Sequence, residues 1–166
     1  DSKYKDILFN NKIFLFSLEH NGLYYLGYQM FKDNIFFGHG PKLYREKVFQ
    51  EPYSDFTNEL ITITGIGGIT HPHNTYVQLL SETGLVGFFM VISLFFYVMY
   101  KLIKQFYFVF FTKKKYLTDF QVCLLICFFI SLWPLIPTGN FFNNWLSVVY
   151  FLPLGFYFST LKKDII

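Results

Sequence analysis

His73 and Asn74 stand immediately before residues that can form a short helix leading into a long apolar stretch. The imidazole of His73, with an ordinary pKa of about 6.5, can take a proton from a hydroxyl nucleophile as a general base. Unpaired backbone amides and the helix dipole favour negative charge at a helix start, so a phosphate is a natural neighbour there. This pair therefore predicts chemistry or transport at a membrane face.

More ordinary roles are open for the same residues. His73 and Asn74 can simply cap the helix, and Glu82 can be a solvated residue on its polar face. His71 and His73, separated by a proline, suggest a metal pair, but no third ligand follows at a usual spacing. We therefore predict no metal site. His39, between two glycines, is more typical of a turn residue than of a base.

Composition places the chain in the membrane. Of its 166 residues, 53% are hydrophobic and only 15% are charged, whereas a soluble domain carries about 25% charge. The net charge of +3, without a basic stripe interleaved with stacking aromatics, excludes nucleic-acid binding. The chain begins at Asp1 without a signal-peptide pattern, which we interpret as an internal or C-terminal piece of a longer protein.

Two further residue types call for an interpretation. Arg45 is the single arginine in a lysine-rich chain, and a guanidinium binds phosphate or carboxylate with a planar fork that lysine lacks. Cys123 and Cys127 lie one helical turn apart in an apolar run. We interpret both thiols as buried, inert packing groups.

Three stretches are apolar and long enough to span a bilayer, which needs about 20 helical residues. They cover about 84–111, 120–137 and 141–160. The lysines at 113–115 and at 162–163 follow the first and third stretches, and the positive-inside rule makes both places cytoplasmic. The region of His73 is then extracytoplasmic.

Residues 1–83 predict an external loop region with two short amphipathic helices, at about 22–32 and 74–83. Phe37–Pro41 is expected to form a tight turn, and Phe49–Thr70 a flexible surface loop. A helical projection of 74–83 separates an apolar side from a polar side that contains Asn74, Gln78 and Glu82. The predicted fold class is an all-α integral membrane protein in which this region precedes three transmembrane helices in 84–166.

The spacing of these residues resembles a known family. His73-Asn74, nine residues, Gly84, two residues and Gly87 match the signature of the O-antigen ligase and O-antigen polymerase superfamily. The turn at 37–41 followed by Tyr44-Arg45, and the segment 137–144, are similar to motifs on either side of that signature. The resemblance covers about residues 20–160 and the C-terminal part of the family's proteins.

The resemblance implies a glycosyltransferase of the bacterial inner membrane that uses no metal, no nucleotide sugar and no cofactor. Its donor would be an oligosaccharide on undecaprenyl diphosphate, handled by a periplasmic loop. His73 would deprotonate the acceptor hydroxyl, on a growing glycan or on lipid A core, with inversion at the anomeric carbon. Arg45 would stabilise the departing diphosphate, and Asn74, His71, Lys42 and Glu82 would bind substrate.

One family feature is absent. Family members commonly have an arginine at the start of the upstream helix, where this chain has Glu19-His20-Asn21. His20 substitutes for it, or Lys42 helps, or the second cation lies in a preceding part of the protein. The active site carried by this chain is therefore expected to be incomplete.

Two other classes compete with the enzyme. A transporter or channel subunit for polysaccharide or lipid-linked glycan would carry polar groups inside its spans, but the polar residues here lie outside them. A structural membrane protein would leave His73 and Arg45 without a shared role. Within the enzyme class, ligase and polymerase differ in their acceptor, and both remain open.

Overall fold

The computed structural model describes residues 16–161, and these residues form helices and no strand. The all-α part of the prediction is confirmed for them. They divide into two compact units, one reaching to Phe88 with the addition of Pro137–Phe141, and one made of Phe89–Ile136 and the residues from Phe142 onward. The helices are α1 (Leu18–Asp33), α2 (Tyr44–Lys47), α3 (Ser54–Thr64), α4 (Thr75–Tyr107), α5 (Asp119–Ser131) and α6 (Asn144–Leu161), and a π-helical turn, Phe108–Thr112, continues α4.

The first unit has its core between α1 and α3. Ser17 caps α1, because its hydroxyl accepts the backbone N–H of His20 at 3.4 Å. The hydroxyl of Tyr44 donates to the carbonyl of Leu23 at 2.8 Å, which attaches α2 to α1. The fully or nearly fully buried side chains of this core are Leu23, Leu26, Met30, Tyr44, Val48, Tyr53, Phe56, Leu60 and Ile69.

The flexible loop predicted for Phe49–Thr70 is wrong in its middle, where the chain forms α3. Phe56 and Leu60 are four residues apart and both are buried against α1, which is helical spacing. Thr57 is also buried, and its hydroxyl donates to the carbonyl of Val48 at 2.7 Å. The polar and Gly/Thr-rich composition of this stretch hid the helix, although Phe56, Leu60 and Ile63 have helical spacing and contribute to the core.

Helix α4 is broken at Gly84, where the helix predicted at 74–83 meets the apolar stretch predicted at 84–111. Gly84 has φ 62° and ψ −159°, a conformation that is essentially restricted to glycine. A Cβ atom there would lie 2.4 Å from the carbonyl carbon of Phe36. The turn around Phe36 therefore approaches the break as closely as backbone atoms allow.

Backbone hydrogen bonds are exchanged at this break. In a continuous helix, the N–H groups of Leu85 and Val86 would bond to the carbonyls four residues earlier. Here Leu85 donates to Ile35 at 2.8 Å, and Val86 donates to Phe36 at 3.2 Å.

The two carbonyls that would accept these N–H groups in a continuous helix instead accept hydrogen bonds from the turn at 35–40. The carbonyl of Ser81 accepts the N–H of His39 at 3.1 Å, and the carbonyl of Glu82 accepts the N–H of Gly40 at 2.8 Å. Every donor and acceptor of the two replaced helix bonds is thus satisfied by residues 35–40, as buried backbone groups require. We call these four bonds the Gly84 exchange.

Helix α4 with its π-helical turn, Thr75–Thr112, is long and apolar enough to cross a membrane, and its most apolar 18-residue window has a mean hydropathy of 2.0. Only 11% of its most apolar window is buried within the chain, whereas a core helix of a soluble protein would be mostly buried. The three-span prediction is not confirmed. Among the described residues, α5 has 13 residues, and α6 has 18 residues with Pro153 inside.

The second unit is held by α5 and α6, which pack together. Thr118 and Gln121 form a capping box at the start of α5, and Gln121 also donates to the hydroxyl of Thr160 at 2.9 Å. Cys123 and Cys127 are free thiols on an exposed face of α5, so they do not pack within the described chain, and their burial in the bilayer stays a prediction. The predicted lysine pair at 162–163 lies outside the described residues.

Replacing Gly84 with alanine tests the Gly84 exchange. The added Cβ would meet Phe36 backbone atoms and hold a positive φ, so we expect a loss of about 2–4 kcal/mol in the free energy of unfolding. Gly155→Ala is the matched control, because nothing lies within 4 Å of a Cβ there and alanine favours a helix by about 1 kcal/mol. Thermal unfolding of the purified protein measures both, and equal midpoints for the two variants would contradict the exchange.

Candidate functional site

Asn74 is the N-cap of α4. Its side-chain oxygen accepts the backbone N–H groups of Tyr76 at 3.0 Å and Val77 at 3.1 Å, and the residue is 7% exposed. The substrate contact predicted for Asn74 therefore competes with a structural one, since that oxygen already satisfies two amides of the first helical turn.

His73 is fixed by the backbone on both sides. It has φ 55°, an uncommon left-handed conformation for a residue other than glycine. Its carbonyl accepts the N–H of Thr138 at 2.9 Å. The segment Pro137–Phe141 thus lies against the start of α4, and the backbone direction of His73 is set by the cap and by this segment together.

Three histidine rings meet at this end of α4. The ring centroid of His73 lies 4.2 Å from that of His71 and 5.6 Å from that of His20. His20 comes from the first turn of α1. The structure therefore brings His20, one of the candidates to replace the missing family arginine, next to His73.

The four histidines of the chain differ in what their ring nitrogens contact. His71 has both nitrogens engaged, at 2.8 Å from the Thr70 hydroxyl and at 3.3 Å from the Thr138 carbonyl, to which its Nε2–H donates. His20 bonds through Nδ1 to Ser17 at 2.7 Å. The Nε2–H of His39, in the turn, donates to the carbonyl of Met30 at 3.0 Å.

His73 differs from the other three. Within residues 16–161, no hydrogen bond engages its ring nitrogens, and the residue is only partly buried. A neutral imidazole in this state offers one nitrogen as a donor and the other as an acceptor. His73 is thus the histidine most free to exchange a proton with a bound molecule.

The surroundings keep His73 and His71 neutral. Burial lowers the pKa of His73 below its usual value, and the positive charge that His20 can carry lowers it further, while Glu19 opposes this. Burial and then His73 lower the pKa of His71 to about 4, against a hydrogen bond to Thr138 that raises it. At neutral pH both rings are therefore uncharged, the state required of a base.

The polar side of α4 before Gly84 faces the interior of the protein. Gln78 is fully buried, and its amide donates to Glu82 at 2.9 Å and to Asn140 at 3.0 Å. Its oxygen accepts the N–H of Phe141 at 2.9 Å. The buried polar side chains of this face are Asn74, Thr75, Gln78, Ser81 and Glu82.

Glu82 is fully buried at the far end of the same face. One carboxylate oxygen accepts the N–H of Tyr44 at 2.8 Å, and the other accepts the Gln78 amide. Glu82 therefore attaches α2 to α4, and no part of it is open to a substrate.

Arg45 and Lys42 are exposed beside this attachment. Arg45 follows Tyr44 in α2, and its guanidinium acts electrostatically on the Glu82 carboxyl. His73 and Glu82 are nine residues apart, which is about 13 Å along a helix. Arg45 therefore lies near Glu82, at the end of the part of α4 that precedes Gly84, whereas His73 lies before the start of α4. No direct contact between the two side chains is observed in the described part of the chain.

Tyr24 was not singled out from the sequence. Its ring lies 6.2 Å from that of His20, and its hydroxyl is buried without a hydrogen-bond partner in the part of the chain that is described. Burial raises the pKa of Tyr24, so the hydroxyl keeps its proton and can donate. No sequence motif indicates Tyr24, because its position beside the histidine cluster depends on how α1 packs near the start of α4.

No group of three or more His, Cys, Asp and Glu side chains within residues 16–161 is arranged to hold a metal ion. The ring nitrogens of His71 are directed to Thr70 and Thr138. The cluster of three histidines is therefore built from ring contacts and separate hydrogen bonds.

Comparison with known proteins finds a family model that matches part of the chain. Residues 23–92 match the family model described as O-Antigen ligase. This segment runs from α1 into α4 and includes Arg45, His73 and Glu82. The match confirms the resemblance to the C-terminal part of the O-antigen ligase superfamily that the sequence motifs indicate. No curated protein and no solved structure gives a significant match.

Titration of the histidines tests the electrostatics of the cluster. In the His20→Gln variant the pKa of His73 should rise toward its usual value, because a group that can repel its proton is gone. His39→Gln, outside the cluster, should leave it unchanged. NMR of the protein with labelled histidine measures both, and an unchanged or lower pKa of His73 in His20→Gln would contradict the assignment.

Proposed function

We propose that this chain carries a catalytic part of a membrane glycosyltransferase of the O-antigen ligase and polymerase type. The observation that supports it most is His73, a neutral imidazole with open ring nitrogens, at a helix start inside the segment that matches O-Antigen ligase. The substrate would be an oligosaccharide linked to undecaprenyl diphosphate, taken at the periplasmic face of the bacterial inner membrane.

In the proposed reaction His73 acts as the general base. It accepts the proton of an acceptor sugar hydroxyl while that oxygen bonds to the anomeric carbon of the donor. The bond from this carbon to the diphosphate oxygen breaks, and the leaving undecaprenyl diphosphate keeps the electron pair. Attack opposite to the leaving group inverts the anomeric centre, and the imidazolium then returns its proton to solvent.

Arg45 is proposed to bind the leaving diphosphate. Negative charge grows on the phosphate oxygens as the bond breaks, and a guanidinium stabilises it through two parallel hydrogen bonds. The exposed position of Arg45 beside the start of the apolar helix supports contact with a lipid diphosphate at the headgroup level. Lys42, also exposed, is proposed to add a second positive charge.

The remaining predicted substrate-binding residues receive different proposals. The buried hydrogen bonds of Glu82 and Asn74 support positioning roles, with Glu82 holding the helix of Arg45 and Asn74 holding the start of α4. His71 would orient His73 through their ring contact. His20 is proposed to take the place of the missing arginine, since its ring lies beside that of His73.

The proposal includes three transmembrane helices, with α5 and α6 completing the second and third spans and the lysines at 113–115 on the cytoplasmic side. The acceptor is a hydroxyl of a growing glycan for a polymerase and of lipid A core for a ligase. Both reactions need the same base and the same leaving-group contact. The polar face of α4 is hydrogen-bonded before the break at Gly84, which supports surface chemistry over the transporter alternative.

Two substitutions in the intact protein test the reaction. His73→Ala should lower the rate of transfer by about 10²–10⁴-fold, because a general base contributes a factor of this size. Arg45→Ala should lower it by about 10²–10³-fold, and Arg45→Lys should lose less, since lysine keeps the charge without the fork. The readouts are surface glycan and accumulation of the diphosphate-linked donor in membranes.

Lys47→Ala is the matched control, because Lys47 lies in the same short helix as Arg45 and its ammonium donates to the Gln50 side chain at 3.2 Å. It should leave transfer unchanged. Normal glycan without donor accumulation in both His73→Ala and Arg45→Ala would overturn the proposed function.

A further inference from the structure

The turn that enters the break in α4 exposes three consecutive apolar side chains. The exposed fractions are 44% for Ile35, 64% for Phe36 and 73% for Phe37. Val86, whose backbone N–H donates to the carbonyl of Phe36, is 48% exposed. We call these four residues the apolar apex. Large apolar side chains that are exposed together mark an interaction surface.

The apex is a cluster and not a scatter of surface residues. Among the described residues of the same unit, the other large apolar side chains that are well exposed are Tyr28 and Phe49, and each stands alone. Single exposed apolar residues are ordinary. Two adjacent phenylalanines at the tip of a turn are not accounted for by packing within this unit.

The Gly84 exchange fixes where the apex lies. The carbonyls of Ile35 and Phe36 accept the N–H groups of Leu85 and Val86, which are the first residues of α4 beyond its break. Because α4 is the described helix with the length and hydropathy to cross a membrane, these residues mark its point of entry. The apex is bonded to that point through the backbone.

Charged side chains flank the apex along the chain. Lys32 precedes it, with its ammonium 4.9 Å from the centre of the Tyr28 ring, and the exposed Lys42 follows it. Asp33 is the nearby carboxylate, and it accepts the hydroxyl of Tyr53. Apolar and aromatic tips with lysines on either side are typical of segments at a bilayer surface, where the lysine ammonium groups remain at the headgroups.

We propose that the apolar apex inserts into the lipid of the leaflet in which α4 begins, at the boundary between headgroups and acyl chains. Its partner is bilayer lipid, and its function is to fix the depth of the turn. Residues buried in this way lie about 5–10 Å into the boundary. The turn continues directly into Lys42 and α2, so the insertion also sets the height of Arg45. The lipid contact itself does not depend on the chemistry at His73.

Other occupants of this surface make a different prediction. A second copy of the chain, or another segment of a longer protein, would cover the phenylalanines and exclude lipid from them. Exposure to water would leave them accessible to polar quenchers. Lipid contact is therefore distinguished by direct collision with the acyl chains.

Tryptophan quenching measures that collision. The variant is Phe37→Trp in the intact protein, with Trp133→Phe and Trp145→Phe removing the tryptophans of this chain. It is reconstituted in vesicles of phosphatidylcholine and phosphatidylglycerol with or without bromine near the glycerol end of the acyl chains. We expect blue-shifted emission and a strong loss of intensity with the brominated lipid.

Phe49→Trp in the same background is the control, because Phe49 is an exposed aromatic residue of the same unit, at 47% exposure, outside the apex. Its emission should be equal in the two kinds of vesicle. Phe36→Trp serves as a second probe if Phe37→Trp unfolds. Emission at the apex that is unaffected by bromine, whether blue-shifted or red-shifted, overturns the proposal, as does equal quenching at Phe49.

Discussion

The exchange of four backbone hydrogen bonds at Gly84 is the constraint on which the site-bearing unit depends. Leu85 and Val86 donate to the turn at 35–40, and this turn returns two N–H groups to the end of the preceding helix. The exchange needs backbone atoms in direct contact, which only glycine permits at position 84 and, on the other side, at Gly38. One junction therefore joins the turn that leads to Arg45 with the helix that leads back to His73.

Buried polar side chains extend this constraint along α4. Gln78 and Glu82 satisfy each other and also groups from two other segments, Phe141 and Tyr44. Leaving one such group unsatisfied costs about 1–3 kcal/mol, so the face has one favoured arrangement. The helix is thereby held rigidly between its ends, and His73 keeps a fixed position while its ring nitrogens stay open. In the proposed reaction, a base held in this way would lose little entropy when a substrate hydroxyl binds.

The sequence predicted the parts of this arrangement that depend on local spacing. The boundary at Gly84 follows from glycines before an apolar stretch, and the motif around His73 indicated the family that residues 23–92 match. The partners of the polar face could not be predicted, because Gln78 and Asn140 are 62 positions apart. The approach of His20 to His73 likewise depends on how α1 packs. Helix α3 was missed because its apolar residues are mixed with polar and Thr residues and precede a glycine-rich loop.

Amide hydrogen exchange of the intact protein in bilayers tests most directly whether the Gly84 exchange organises the site. The account predicts that the amides of His39 and Gly40, in a turn, exchange as slowly as those of Leu85 and Val86 in a helix. They should exchange far more slowly than the amides of the exposed loop at 67–68. The amides of His39 and Gly40 decide the test, because lipid alone can slow the exchange of the helix amides. Exchange of His39 and Gly40 at the rate of the exposed loop would contradict the account.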